Sequence, residues 1–326
     1  MKALVQYRYG PPDVLQVEDV PAPVAGAGEV LVRVHAASVN ARDWHLMRGE
    51  PRLARLAGVE FGRTGPRARI RGTDFAGTVE AVGSGVSAWR PGDEVFGECA
   101  GAFAEYVVAP ADVVAAKPAS LTFEEAAAMP LAANTALVCL REGGLEAGGA
   151  VLINGASGGV GTFAVQLAKS EGARVTAVCS GRNADLVRAL GADVVVDYGR
   201  EDFARSGQRY DLVLDLVGNR SLRDLRRVLT PGGCIVLSGG GVSGEGRLIG
   251  PMSLLIRGRL LARLTRLRLT VPEAKPSARN LGELSALAEA GTLTPAVDRV
   301  FPLKDAAEAI RYMETEHARA KIVITV

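Results

Sequence analysis

The sequence predicts an α/β chain in two parts: a barrel-like β domain, then a doubly wound parallel sheet covered by helices. Three observations carry this. The text up to about residue 118 is strand-like and broken by turn formers, and the middle of the chain alternates short apolar strands with helical patterns. Where that alternation begins, in AVLINGASGGVGTFAVQLAK (Ala150–Lys169), an apolar run meets a glycine-rich turn and an amphipathic helix. A length of 326 residues exceeds one ordinary core. With 48% hydrophobic residues the chain should be well packed, and a net charge of +2 gives no global reason to expect nucleic acid.

In chain order, Glu29–Ala36 alternates apolar and polar residues as a half-buried strand does, and Gly77–Val82 and Ala102–Val108 repeat the pattern. Gly83-Ser84-Gly85 and Pro91-Gly92-Asp93 mark turns between them. Thr122-Phe123-Glu124-Glu125 has capping-box form and opens a helix-rich stretch to Arg141. Then follow strand Val151–Asn154, a helix to Glu171, strand Val175–Cys179, helix Ala184–Leu190 and strand Val194–Asp197. Strand Leu212–Asp215, helix Ser221–Leu229 and strand Cys234–Ser238 continue the series. Gly250–Leu269 is apolar but studded with arginines, which suits a helix over a cleft or partner better than one lying on a membrane. Helices Ala278–Ala290 and Lys304–Thr315 precede a β-branched strand, Lys321–Val326, expected to pair back in the first domain. The domains are thus expected at 1–122 with 272–326, and at 123–271.

A G-x-G-x-x-G spacing falls on Ala156, Gly158 and Gly161, with Ser157, Gly159 and Val160 between them. The first position should turn the chain out of the strand, the second let a pyrophosphate approach, and the third let the helix pack close. The helix N–H groups and dipole then favour phosphate. A bound dinucleotide is therefore expected. Strand Val175–Cys179 runs into Ser180-Gly181-Arg182-Asn183 without the carboxylate that takes ribose hydroxyls in NAD-preferring sites. A hydroxyl and a guanidinium suit a 2′-phosphate instead, so Ser180 and Arg182 point to NADPH. The four cysteines, 99, 139, 179 and 234, are scattered, as in a reduced cytoplasmic protein. The amino terminus has no apolar signal core, and no uncharged run is long enough to span a bilayer.

Together with SVNARD (38–43), GTDFAG (72–77), RPGDEV (90–95) and HARAKI (317–322), this organisation resembles the medium-chain dehydrogenase/reductases over essentially the whole chain, and most of all their zinc-independent quinone oxidoreductase branch. The resemblance implies a GroES-like catalytic domain, a six-stranded Rossmann domain and an active cleft between them. It implies that Asn40, Thr135, Ser238, Gly239 and Gly240 line the nicotinamide, that Lys321 reaches the same cleft, and that Tyr198 lines the 2′-phosphate pocket. A homodimer through nucleotide-domain edge strands follows from it too. Zinc-dependent members have cysteine at Asn40 and Gly-His-Glu at Gly72-Thr73-Asp74, so the thiolate and imidazole are both missing and no zinc is expected. His35 and His45 read as ordinary histidines.

Without a metal to polarise an alcohol, the expected chemistry is hydride delivery from NADPH to a small electrophile, a quinone or α,β-unsaturated carbonyl. Candidate stabilisers are the Asn40 amide and the Lys321 ammonium, with His45 or Asp43 as proton relays, although Asp43 also suits a loop-holding role. The alternatives are a specialised or acyl-thioester enoyl reductase and a non-catalytic NADPH-binding sensor.

Overall fold

A computed structural model describes residues 1–53, 55, 61–239, 267–316 and 318–326. The chain divides into two compact units, Met1–Asn134 with Lys275–Val326, and Thr135–Ala274. The first unit opens with an antiparallel pair, β1 (Lys2–Gln6) and β2 (Leu15–Asp19). The long strand β3 (Glu29–Val39) leads into α1 (Ala41–Arg48). Next come β4 (Asp74–Val82), β5 (Glu94–Glu98), β6 (Tyr106–Pro110) and β7 (Val114–Ala116). β3 alternates as expected, then stays buried through Ala37–Val39, and it shifts register at Leu31/Val32 and Val34/Ala36.

The strand expected over Ala102–Val108 begins only at Tyr106. The residues before it are held elsewhere: Leu4 N–H donates to the Phe103 carbonyl (2.8 Å), and Ala104 makes a single bridge to Ala3. α2 (Phe123–Ala127) is capped as the sequence indicates, with Glu125 N–H on Thr122 Oγ1 (3.2 Å) and Thr122 N–H on Glu125 Oε2 (2.9 Å). α3 (Pro130–Gly143) follows.

The second unit is a parallel sheet. Its strands are β8 (Ala150–Asn154), β9 (Arg174–Cys179), β10 (Val194–Asp197), β11 (Tyr210–Asp215), β12 (Leu229–Leu237) and β13 (Arg268–Thr270). They lie in the order β10-β9-β8-β11-β12-β13. The helices between them are α4 (Gly159–Ser170), α5 (Ala184–Ala189) and α6 (Leu222–Arg227). This is the doubly wound order that brings the carboxyl ends of β8 and β11 to a switch point. β12 starts at Leu229 rather than Cys234, taking the residue at which the preceding helix was expected to end. Most of the arginine-studded segment lies outside the described residues. Its end, Arg268–Leu269, is strand rather than helix, and Arg268 donates to the Gly232 carbonyl (3.1 Å).

The chain then returns to the first unit through α7 (Ala278–Glu289), β14 (Val297–Pro302), α8 (Ala306–Thr315) and β15 (Lys321–Thr325). β15 pairs antiparallel with β3, from Ile322 against Val39 to Thr325 against Ala36. The sheet order is β14-β15-β3-β4-β5-β7, with β6 also on β3.

Candidate active site

Register sets up the first constellation. Val323, Ser38, Asp74 and Glu98 lie opposite one another on β15, β3, β4 and β5, so two carboxylates share one face on neighbouring strands. Asn40 leaves β3 and precedes α1, whose first turn carries Asp43. The Asn40 N–H donates to Asp43 Oδ2 (2.8 Å), and Thr73 Oγ1 donates to Asp43 Oδ1 (3.1 Å). Asp74 Oδ2 accepts from Ser38 Oγ (2.9 Å) and Asn40 Nδ2 (2.9 Å), while its Oδ1 accepts from the Leu131 N–H (3.1 Å). Lys321 reaches in from the start of β15. Its Nζ donates to Asn40 Oδ1 (2.5 Å), the Val39 carbonyl (3.3 Å) and Asp74 Oδ2 (3.4 Å).

All of these side chains are buried; Lys321 is 2% exposed and Asn40 5%. The ammonium has three acceptors, and the Asn40 amide is engaged at both oxygen and nitrogen. Burial pulls the Lys321 pKa below its ordinary value, against the pull of Asp74 and Asp43, and pushes Asp43 up, against the pull of Arg71. Glu98 is raised to about 8 by burial and by Asp74, although Arg42 Nη1 stands 3.1 Å from its Oε1.

Of the candidates singled out in this region, Asn40, Asp43 and Lys321 come together. His45 faces elsewhere: its Nδ1 lies 3.0 Å from the Glu50 carbonyl and its ring meets Trp44. His35 Nε2 lies 3.0 Å from Thr78 Oγ1. Sequence reasoning missed Glu98, Arg42 and Arg71. The available signal was an acid ending the apolar strand text EVFGE. A cavity of about 310 Å³ opens beside the cluster, with Arg42, Arg71, Thr73 and Glu98 in its wall.

The second constellation is the glycine turn after β8. The left-handed residue is Gly155 (φ 87°), not Ala156, which corrects the expected division of labour. Ala156 is fully buried and carries a Cβ, which disfavours that conformation. At Gly161 an added Cβ would lie 2.2 Å from the Gly155 carbonyl oxygen, so glycine is needed for the helix to approach. At Gly158 it would meet only that same oxygen, at 3.4 Å, and φ is −82°. Nothing in the fold demands glycine there, and its bare face suits an approaching ligand. α4 begins here with no side-chain cap, leaving the amides of Gly159, Val160 and Gly161 at its end. Asn183 Nδ2 donates to Ser157 Oγ (3.0 Å) and ties the turn to the end of β9.

Ser180, Arg182 and Tyr198 sit at the carboxyl ends of the paired strands β9 and β10, with Arg182 and Tyr198 exposed. At the end of β11, Asp215 Oδ1 accepts from Asn154 Nδ2 (2.9 Å), Val217 N–H and Gly218 N–H, but buried Oδ2 has no partner. Thr135 lies in α3 and is half-buried, and Ser238 and Gly239 follow β12. Ser238 is hydrogen-bonded to Cys139, whose thiol burial raises to about 11. Gly240 lies outside the described residues.

Residues 26–119 match the alcohol dehydrogenase GroES-like domain, and residues 190–324 match the family described as zinc-binding dehydrogenase. The mouse mitochondrial NAD(P)H oxidoreductase RTN4IP1 is 34% identical, over 100% of this chain and 89% of its own length. The tomato 2-methylene-furan-3-one reductase is 32% identical, over 99% of this chain and 79% of its own length. The chain belongs to the medium-chain dehydrogenase/reductases. Its relatives within that family are quinone and enone oxidoreductases. The quinone oxidoreductase of Coxiella burnetii superposes with a TM-score of 0.85 at 32% identity, covering 100% of this chain and 99% of that one. A mycobacterial protein solved with NADPH superposes at 0.84 and 29% identity, over the full length of both.

Family membership raises two fits. A dinucleotide suits the second unit: a bare glycine over an uncapped helix end, and an unpartnered buried acceptor at Asp215 beside it, match phosphate and hydroxyl groups. Zinc does not suit the first unit. The Asn40 and Asp74 oxygens are taken up by Lys321, Ser38 and one another, and a fixed ammonium sits where a cation would need open donors. Among the described residues no group of three or more His, Cys, Asp or Glu side chains forms a metal-sized cage.

Proposed function

We propose that this chain is an NADPH-dependent, zinc-independent reductase that transfers hydride to an activated acceptor, a quinone or an α,β-unsaturated carbonyl. The observation that carries this is the glycine turn at the switch point, with a bare Gly158, and the turn after the next strand, which carries Ser180 and Arg182 where a carboxylate would take ribose hydroxyls. The bound nicotinamide supplies the hydride. The protein binds and orients. The amides of Gly159, Val160 and Gly161 face the phosphates. The Ser180 hydroxyl and Arg182 guanidinium take the 2′-phosphate, with Tyr198 at the same edge. Thr135, Ser238 and Gly239 line the nicotinamide end.

In the first unit Lys321 fixes the Asn40 amide and supplies positive charge close to it. Asp43 holds the backbone at Asn40, and His45 is assigned no proton-relay step. The names of relatives support the acceptor class: a furanone reductase and a quinone oxidoreductase. We read the protein as a cytoplasmic homodimer. Among the described residues no helix is long and apolar enough to cross a membrane. NADPH oxidation with but-3-en-2-one, 1,4-benzoquinone and a crotonyl thioester tests the reading. Turnover of the enone or the quinone supports it, turnover of the thioester alone would favour the acyl-thioester reductase, and tight NADPH binding with no turnover of any would favour a sensor.

A further inference from the structure

The cavity in the first unit has an unusual wall. Arg42, Arg67 and Arg71 line it against a single carboxylate, Glu98, and Leu46 and Ile70 supply apolar surface. Residues 48–71, of which Arg67, Ala68, Ile70 and Arg71 line this wall, contain seven arginines (48, 52, 55, 63, 67, 69 and 71) and two glutamates (50 and 60), in a chain whose net charge is only +2. Two of the three lining guanidiniums have work already. Arg42 pairs with Glu98 at 3.1 Å, and Arg71 donates to the Ala68 carbonyl (3.3 Å) and draws Asp43 down. Arg67 is exposed, and among the described residues no carboxylate pairs with it.

We propose that this cavity seats an acceptor with an uncharged reactive end and an anionic group, carboxylate or phosphate, at its other end, with Arg67 receiving the anion. The inference rests on the reductase reading and names the substrate class of that site. A planar guanidinium takes either oxyanion through paired N–H donors, and the apolar wall takes the hydrocarbon between. Glu98 reinforces the sign. Burial and Asp74, opposed by Arg42 and Lys321 and assisted by Asp43, hold its proton up to about pH 8, so the wall is net positive at neutral pH.

Two matched pairs of acceptors test this with the full chain and NADPH. One pair is (E)-4-oxopent-2-enoate and its methyl ester. The other is crotonyl-coenzyme A and crotonyl-N-acetylcysteamine, so the pairs separate a carboxylate from a phosphate source. The charged member of one pair should have a kcat/KM about 10-fold higher or more. Arg67→Ala should bring that ratio close to one, and raising NaCl from about 50 mM to about 500 mM should shrink it. Equal kcat/KM within both pairs, or a ratio unchanged in Arg67→Ala, overturns the proposal. If none of the four oxidises NADPH, the reductase reading fails separately only if but-3-en-2-one and 1,4-benzoquinone are also left unreduced, and calorimetry with 4-oxopentanoate and its methyl ester decides the site. Heat with the acid alone upholds it; equal or absent heat overturns it.

Discussion

Replacing Glu98 by glutamine should make the protein increasingly stable relative to wild type as pH rises, although it removes the carboxyl that Arg42 contacts. Glu98 is 3% exposed, and its register partner on β4 is Asp74, another buried carboxylate. Its proton affinity rises from 4.5 to about 8 on folding. A group with a raised folded pKa stabilises fully below its unfolded value and loses that contribution as pH climbs through the folded one. The window is therefore about pH 4.5 to 8. At 1.36 kcal/mol per unit, the shift amounts to about 5 kcal/mol as a ceiling. Glutamine does not ionise and escapes this loss, and the Arg42 side chain, 39% exposed, can be rehydrated at about 1 kcal/mol or less. Urea unfolding of both proteins at steps from about pH 5 to pH 9 measures the difference. The stability of Glu98→Gln relative to wild type should climb by about 1.4 kcal/mol per unit and level off above about pH 8. A difference flat with pH, or one that turns against glutamine at high pH, would show that Arg42 stabilises an ionised Glu98 and would refute the reasoning.

Three further outcomes are expected. Lys321→Met strands the buried Asp74 carboxylate and should cost about 3–5 kcal/mol in chemical unfolding, part of it recovered in the double variant with Asp74→Asn; a cost that simply adds in the double variant counts against the pair. Gly158→Ala should unfold within about 1 kcal/mol of wild type yet bind NADPH about 10-fold more weakly, whereas Gly161→Ala, 2.2 Å from a backbone oxygen, should lose about 1–3 kcal/mol of stability; equal behaviour of the two contradicts the division of roles. Arg182→Ala should reduce the NADPH-over-NADH preference in kcat/KM by about 10-fold, and an unchanged preference would remove Arg182 from the 2′-phosphate site.

The nucleotide-binding unit was legible because its strands are short apolar runs set apart by helical periods, and β10 has the expected bounds, Val194–Asp197. The capping box at Thr122 was legible for the same reason: its atoms lie three residues apart. The Asp74–Glu98 pair was not. Their alignment is set by the register of β4 against β5, a pairing between segments distant in the chain that no local pattern encodes. Ala102–Val108 alternates correctly, yet its first residues bond to β1 instead of entering the sheet, a choice made by tertiary context. The turning role given to Ala156 belongs to the residue before it, because the fingerprint marks ligand approach and not the one position with positive φ.

The proposed hydride transfer from NADPH to an activated double bond uses organic groups alone. Its most direct measurement is turnover of but-3-en-2-one by the chelator-treated protein, followed by NADPH absorbance and by product analysis, alongside the protein's metal content. Butan-2-one should appear in step with NADPH consumed, at a rate that chelation and added zinc leave unchanged. Activity lost on chelation and restored by zinc would contradict it.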